Sequence, residues 1–378
     1  MANQLNKNIL ALKVNEMINL LSPLYLKAIA NKMVADLPTL MLWGAPGIGK
    51  SQSFRAIAKK LEQITGKKVV ITDVRLLVFN PVDLRGIPVA DQNREFAKWL
   101  KPQIFQMDEN EDVINILILD EISAAPQSVQ AAAYQLTLDR IVGEHKLPDN
   151  CIVVAAGNRV TDKSVAYKMP KALGNRMTHI EIECDVEDWK TWAVPHGISQ
   201  EIIAYLGYCE SALFDFDPNN DFNAYPTPRS WEMVDKYIKM YDGKLDTSFP
   251  LIVGSIGLGT AQAFKQFTKV FTKLPNIQDI FDGKYLIRNG NGEVVGVEEG
   301  KLPKESDVLY ALSAAIATKV EKANKEQIKN VLSYLNHMQA EYATITVKDM
   351  LRFPNVKQRI LETNEWVEWS KKFKAYIL

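Results

Sequence analysis

The run Gly44-Ala45-Pro46-Gly47-Ile48-Gly49-Lys50-Ser51 has the residue types and spacing to grip a phosphate group. Its glycines let the backbone curl, so that successive N–H groups can turn toward one anion. A helix beginning at Lys50 would add the positive end of its dipole. The Lys50 ammonium can reach terminal phosphate oxygens, and the Ser51 hydroxyl is a hard oxygen of the kind Mg2+ prefers. Gln52, next along, is counted with the phosphate-binding residues. A second constellation is Ile116-Leu117-Ile118-Leu119-Asp120-Glu121, an apolar run that ends in two acids. Buried strands rarely end so unless the acids face a cation or water. Strand alternation sends neighbouring side chains to opposite sides. Asp120 is therefore assigned to Mg2+ and Glu121 to polarising an attacking water.

Three further residues extend this chemistry. Asn158 closes an apolar run from Cys151 and offers one donor and one acceptor, enough to orient a water opposite Glu121. Arg176 lies between a short helical stretch and the next apolar run. A planar, always-charged cation there suits charge that develops on a transferred phosphate. If it reaches a neighbouring subunit, the site is shared and the working form is a ring. Arg229 follows Pro226-Thr227-Pro228 at a helix start, where a cation opposes the helix dipole. A bound anion would remove that penalty, so Arg229 is assigned to a phosphate. For each of these the plainer alternative stays open: a strand-ending asparagine, or a solvated arginine.

The elements that must hold these residues can be read from patterning. The apolar runs Thr39–Trp43, Val69–Thr72, Ile114–Leu119, Cys151–Ala156 and Thr178–Ile182 alternate with helical stretches, best seen at Ser51–Gln63 and Gln127–Leu138. Short runs apolar throughout suggest strands covered on both faces, hence a parallel sheet in a three-layer α/β domain. The first 35 or so residues read as helical, with Ser22-Pro23 as a start signal and Leu24, Ala28, Met33 and Val34 at helix spacing. Beyond about residue 185 the chain reads as helical: Glu187–Val194, Gln200–Leu213 and Arg229–Tyr241, then a mainly helical remainder. A polar interruption at Asp282–Gly300 could hold a small hairpin around Asn289-Gly290-Asn291-Gly292.

Taken together, these segments resemble the AAA+ ATPases, and among them the MoxR-type branch. Residues 44–51 are similar to a Walker A loop, and Asp120-Glu121-Ile122-Ser123-Ala124-Ala125-Pro126 to the Walker B strand and its continuation. Asn80-Pro81-Val82-Asp83-Leu84-Arg85-Gly86 resembles the turn before an inserted hairpin, here Ile87–Leu100. Arg140-Ile141-Val142-Gly143-Glu144 resembles the hairpin before the fourth strand. Ala155-Ala156-Gly157-Asn158 resembles the sensor-1 strand, Leu173-Gly174-Asn175-Arg176 the arginine-finger site, and Tyr225-Pro226-Thr227-Pro228-Arg229-Ser230 the sensor-2 motif. Arg159 is a second arginine near the same plane. Asn175 stands where an aspartate is usual in that family, and Met177 where an aromatic residue is common. The resemblance covers about residues 36–240.

It implies a P-loop NTPase core with a five-stranded parallel sheet in the order 5-1-4-3-2. The expected layout is an N-terminal helical segment (1–36), the α/β core (37–185), a helical lid (186–245) and a helical C-terminal region (246–378). It also implies ATP and Mg2+ as cofactors and a homo-oligomeric ring, expected to be a hexamer. The work would be remodelling or activating a protein partner, and the MoxR-type resemblance implies one like von Willebrand factor A. The segments Ile87–Leu100 and Arg140–Leu147 are the candidate partner contacts, with Trp99 and Leu100 as possible anchors.

Composition limits the alternatives. The 378 residues balance 45 Lys+Arg against 45 Asp+Glu, with 47% hydrophobic and 24% charged residues, an ordinary globular profile. A neutral balance weighs against a nucleic-acid-directed ATPase of helicase-loader or McrB-like kind. The presence of both Asp120 and Glu121 weighs against a nucleotide-binding scaffold without turnover. No apolar stretch approaches the ~20 residues that span a bilayer, and the polar start Met1–Asn8 has no signal-peptide core. Cys151, Cys184 and Cys209 fit reduced thiols in a cytoplasmic protein. The four histidines, His145, His179, His196 and His337, show no metal spacing and read as structural or surface residues. Gly254-Ser255-Ile256-Gly257-Leu258-Gly259 lacks the strand a dinucleotide loop needs and reads as close helix packing. Trp366 and Trp369, with Lys371, Lys372 and Lys374, read as an amphipathic terminal helix.

Overall fold

Apolar runs with both faces covered can satisfy their backbone only beside one another, and here they form a single parallel sheet. The computed structural model describes residues 9–162, 167, 169–220 and 222–374, so the Met1–Asn8 reading lies outside the described residues. The chain divides into two compact units. One reaches Cys184 and includes 217–220; the other takes most of the remainder from Asp185 onward.

In the first unit β1 (Ala11–Lys13) leads into α1 (Val14–Ala30), β2 (Thr39–Trp43), α2 (Lys50–Thr65) and β3 (Lys68–Arg75). After α3 (Pro81–Arg85) come the hairpin β4 (Ile87–Ala90) and β5 (Ala97–Leu100), then β6 (Val113–Asp120) and α4 (Gln127–Leu138). A second small hairpin, β7 (Ile141–Val142) and β8 (His145–Lys146), precedes β9 (Cys151–Gly157), α5 (Lys171–Gly174) and β10 (Met177–Glu183). The main sheet has the order β1-β10-β2-β9-β6-β3, with every neighbouring pair parallel. Five of these strands follow the expected 5-1-4-3-2 order of a P-loop NTPase core. The sheet nevertheless has six strands, because β1 pairs along β10 through Ala11↔Glu181, Leu12↔Ile182 and Lys13↔Glu183. A three-residue strand is too short to display a period of two.

Both faces of the sheet are covered. Met41, Leu117, Leu119, Val153 and Ala155 form one cluster with Val129, Ala133 and Leu136 of α4. The alternate residues Leu40, Leu42, Ile116, Ile118 and Val154 are buried as well. Helices α1 and α2 pack on each other and bury Met17, Leu21, Phe54, Ile57 and Leu61. Each such side chain contributes about 1.5–3 kcal/mol. The helix start expected at Ser22-Pro23 is not there: α1 runs through Pro23. Its buried face is Met17, Leu21, Tyr25 and Ala28, while Leu24 and Met33 are exposed. The packing of that face outweighs the hydrogen bond a proline cannot donate.

The second unit is mainly helical: α6 (Val186–Ala193), α7 (Gln200–Tyr208), α8 (Pro228–Met240), α9 (Leu245–Ile256), α10 (Leu258–Thr268) and α11 (Ile277–Phe281). The helix expected over Gln200–Leu213 breaks at Cys209 into α7 and a short 3-10 turn. The hairpin β11 (Leu286–Arg288) and β12 (Val294–Val297) frames Asn289–Gly292, and α12 (Ser306–Lys319), α13 (Lys325–Leu335), α14 (Ala340–Met350), α15 (Pro354–Leu361) and α16 (Asn364–Lys372) complete the unit. Gly257 separates α9 from α10 at φ 78°, where a Cβ would lie 3.1 Å from the Ala224 carbonyl oxygen. Trp366 and Trp369 stack in α16, and Trp369 is buried.

Candidate active site

The phosphate-type loop is shaped by close contacts beneath it. Gly44 follows β2, and a Cβ there would meet Ile48 Cδ1 at 2.5 Å and Ile182 Cγ1 at 3.1 Å. Ala45 and Ile48 are buried and pin the loop, while Pro46 and Gly47 are half-exposed above. Gly47 (φ 80°) and Gly49 (φ 95°) adopt left-handed backbone, which costs glycine little. Gly49 is the N-cap of α2, so the first amides of that helix open onto the loop. Gln52 is exposed in the first turn.

Residues distant in sequence meet at this loop. The Lys50 ammonium donates to the carbonyls of Gly44 (2.7 Å) and Ala45 (2.9 Å) and to Asn158 Oδ1 (2.7 Å). The Ser51 hydroxyl donates to Asp120 Oδ2 at 2.7 Å, and Asp120 Oδ1 accepts the Glu121 N–H at 2.9 Å. Glu121 departs from the expected strand alternation. It lies just past β6 with φ 57°, so a left-handed turn sets its direction and not the pleat. For a residue with a Cβ that conformation costs about 1–2 kcal/mol. The Ile122 N–H donates to the Ala156 carbonyl at 3.1 Å and fixes the turn against the end of β9.

Asn158 is held in turn. Its N–H donates to Ser123 Oγ at 2.9 Å. The preceding Gly157 has no space for a Cβ, which would approach Ser123 Oγ to 2.7 Å and Met41 Cε to 2.8 Å. Arg159 is locked in place: it pairs with Asp162 at 2.8 Å and with Glu181 at 2.5 Å. Arg176 is exposed, with its guanidinium stacked 4.5 Å above the Tyr134 ring of α4. Arg229 belongs to the second unit, exposed in the first turn of α8, where Thr227 caps the helix by accepting the Ser230 N–H. Lys50, Ser51, Asp120 and Asn158 are thus in direct contact, and Glu121 adjoins them through Asp120.

Some partners carry no sequence signal. Ser123 and Tyr134 show no spacing that marks them. Nor does His179, read above as structural: its Nδ1 accepts the Trp43 indole N–H at 2.8 Å, and its Nε2 faces the Gly174 carbonyl at 2.7 Å.

Ser51 Oγ and Asp120 Oδ2 are two hard oxygens in contact at the mouth of the loop. Mg2+ usually takes only one or two protein oxygens and completes its shell with water and phosphate, so these residues fit it. Among the described residues no group of three or more His, Cys, Asp and Glu side chains could hold a metal.

Comparison with known proteins agrees with this geometry. Residues 39–179 match the family described as "ATPase family associated with various cellular activities (AAA)". Over that segment the chain is similar to AAA-type ATPases, and its sheet has the strand order of a P-loop NTPase fold. No curated protein matches the chain. Solved structures that align with it include C. elegans PCH-2, at 17% identity over 70% of this chain and 63% of that one, with a TM-score of 0.32. An E. coli HORMA:CdnC:Trip13 complex aligns at 13% identity over 67% of this chain and 88% of that one, TM-score 0.38. Thermotoga maritima RuvB aligns at 15% identity over 76% and 95%, TM-score 0.35. The chain spans less than two thirds of the C. elegans protein. Likenesses this distant carry no argument about activity or partners.

Proposed function

We propose that this chain is an ATP-hydrolysing AAA+ ATPase of the MoxR-type branch, working as a ring that remodels or activates a protein partner. One observation carries the reading: Lys50 and Ser51 at the start of α2, Asp120 at the end of β6 and Asn158 just past β9 converge on the phosphate-type loop. The loop amides and the Lys50 ammonium bind the β- and γ-phosphates, with Lys50 exchanging the Gly44 and Ala45 carbonyls for phosphate oxygens. Ser51 and Asp120 would hold Mg2+, which neutralises phosphate charge when bound. The Glu121 carboxylate accepts a hydrogen bond from the attacking water, orients it and takes its proton. Asn158, released by Lys50, holds that water from the other side.

Arg176 acts in trans in this reading. Exposed on the first unit, it would leave the Tyr134 ring to reach the nucleotide of a neighbouring subunit, where such a cation contributes ~10³–10⁵ in rate. That requires a closed ring, expected to be hexameric. Arg229 would touch a phosphate from a helical lid at 186–245, while residues 246–378 form a further helical region. Hairpin β4–β5, with Ile87, Phe96 and Leu100 exposed, and hairpin β7–β8 are the surfaces offered to the partner. The branch resemblance makes that partner one like von Willebrand factor A. Cys151, Cys184 and Cys209 form no disulfide among the described residues, which suits a cytoplasmic setting.

Glu121→Gln tests the reading directly. The variant should bind ATP as the wild type does and lose turnover by about 10²–10⁴-fold. Equal turnover in the two proteins would sink the assignment. The same slow form, kept in ATP, should retain the partner during purification if the partner prefers the loaded state.

A further inference from the structure

One side chain joins the phosphate loop to the segment that carries Arg176. Trp43 ends β2 and immediately precedes Gly44. Its indole N–H donates to His179 Nδ1 at 2.8 Å, and the two rings are near-parallel, 17° apart, with centroids 6.0 Å apart. An indole can only donate, so Nδ1 must be the bare nitrogen of the imidazole. The ring proton is then on Nε2, which donates to the Gly174 carbonyl at 2.7 Å. Gly174 is the last residue of α5, two positions before Arg176.

The sheet register makes this bridge rigid. Parallel pairing sets His179 beside Met41 and Glu181 beside Trp43, so the two rings lie one step apart on one face of adjacent strands. Met41 belongs to the cluster that packs on α4, the helix whose Tyr134 supports the Arg176 guanidinium. The end of α5 is thereby held from the sheet by His179, and the arginine that follows it rests on α4. At the other end of the bridge, Lys50 must leave the Gly44 and Ala45 carbonyls to meet a phosphate. Any shift of Gly44 is passed to Trp43 through one peptide bond.

We propose that His179 is a positioning residue that transmits the state of the phosphate loop to Arg176, so that triphosphate binding sets where the arginine points. The inference rests on the proposed roles of residues 44–51 and of Arg176. His179→Phe keeps a ring in place and removes both hydrogen bonds. Hydrogen exchange with a non-hydrolysable ATP analogue is the first readout. In the wild type the analogue should alter exchange at 44–51 and at 171–177. In His179→Phe the loop should still respond and 171–177 should not. Turnover of the assembled enzyme should show kcat about tenfold lower with KM kept. In an Arg176→Ala background the same substitution should cost nothing further. Trp43→Phe, which removes the indole N–H from the other side, should reproduce these effects and guards against a folding defect in one variant.

A response at 171–177 that survives both substitutions overturns the proposal. So does a wild type whose loop is protected while 171–177 stays unchanged. If the analogue protects nothing at 44–51, the nucleotide reading itself fails and the inference falls with it.

Discussion

Arg159 and Arg176 carry the same charge in opposite settings. The Arg159 side chain is 18% exposed, against partners Asp162 at 5% and Glu181 at 2%. Burial alone would pull its pKa down, but the hydrogen bonds and charges of Asp162 and Glu181 outweigh that and raise it. Arg159→Ala would strand two buried acids and should cost about 3–5 kcal/mol. Arg176→Ala gives up only the stack on Tyr134, about 0.5–1 kcal/mol, while removing the cation proposed to act in trans. Urea unfolding of both variants checks the first half. Mixed assemblies of Arg176→Ala with Lys50→Ala subunits check the second, since some interfaces regain both groups and activity should partly return. If verified mixed rings stay silent, the trans assignment fails. The sequence leaves both arginines open because it places them in the same region and says nothing of their partners. Cys151 is another residue whose setting decides its chemistry: burial pushes its thiol up to about 11, which leaves it a poor nucleophile in the folded protein.

At the scale of elements, what could be read in advance followed from pattern length. The strands that became β2 and β9 are almost wholly apolar and β6 carries the apolar stretch Ile116–Leu119, short runs that fit strands covered on both faces, whereas β10 alternates His179 and Glu181 with Ile180 and Ile182. The loop at 44–51 was legible because its glycines, lysine and serine have fixed spacing. By contrast β1 spans only Ala11–Lys13 and offers no period. In α1 the pair Ser22-Pro23 imitates a helix start, whereas the Ser22 hydroxyl bonds back to the Ile18 carbonyl inside a continuing helix. The Lys50–Asn158 contact and the Trp43–His179 bridge depend on which strands become neighbours, which no local pattern encodes. The junction of β9 with the acidic turn is similarly tight. Gly157→Ala would place a Cβ 2.7 Å from Ser123 Oγ and 2.8 Å from Met41 Cε. It should destabilise the first unit by about 1–3 kcal/mol and disturb Asn158, the next residue. A denaturant midpoint equal to that of the wild type would show that the contacts relax freely.

Over the whole molecule, charge is balanced in number and uneven in placement. The second unit encloses a cluster in which Lys190 meets Glu187 at 3.1 Å and Asp349 at 3.5 Å, and Arg352 pairs with Glu187 and Asp349. Partial burial pushes the Glu187 carboxyl upward, but Lys190 and Arg352 outweigh it and hold the group below its ordinary range. A carboxyl depressed in the folded state adds stability that is fully present above its unfolded pKa, about 4.3. That contribution is lost as pH falls toward the folded value. Resistance to urea should therefore drop between roughly pH 5 and pH 3, and drop less steeply in Glu187→Gln. Parallel pH curves for the two proteins would remove Glu187 from the account. The even count of 45 basic and 45 acidic residues adds no overall field toward nucleic acid.

The backbone at position 121 pulls in two directions. Holding a glutamate at φ 57° spends folding free energy on a geometry that glycine would adopt without strain. A laboratory selection for heat tolerance alone would thus enrich Glu121→Gly, and its winners would melt later yet lack the carboxylate proposed to activate water. An evolutionary record that keeps an acid here despite that pressure would be the signature of a chain retained for its work and not for its durability.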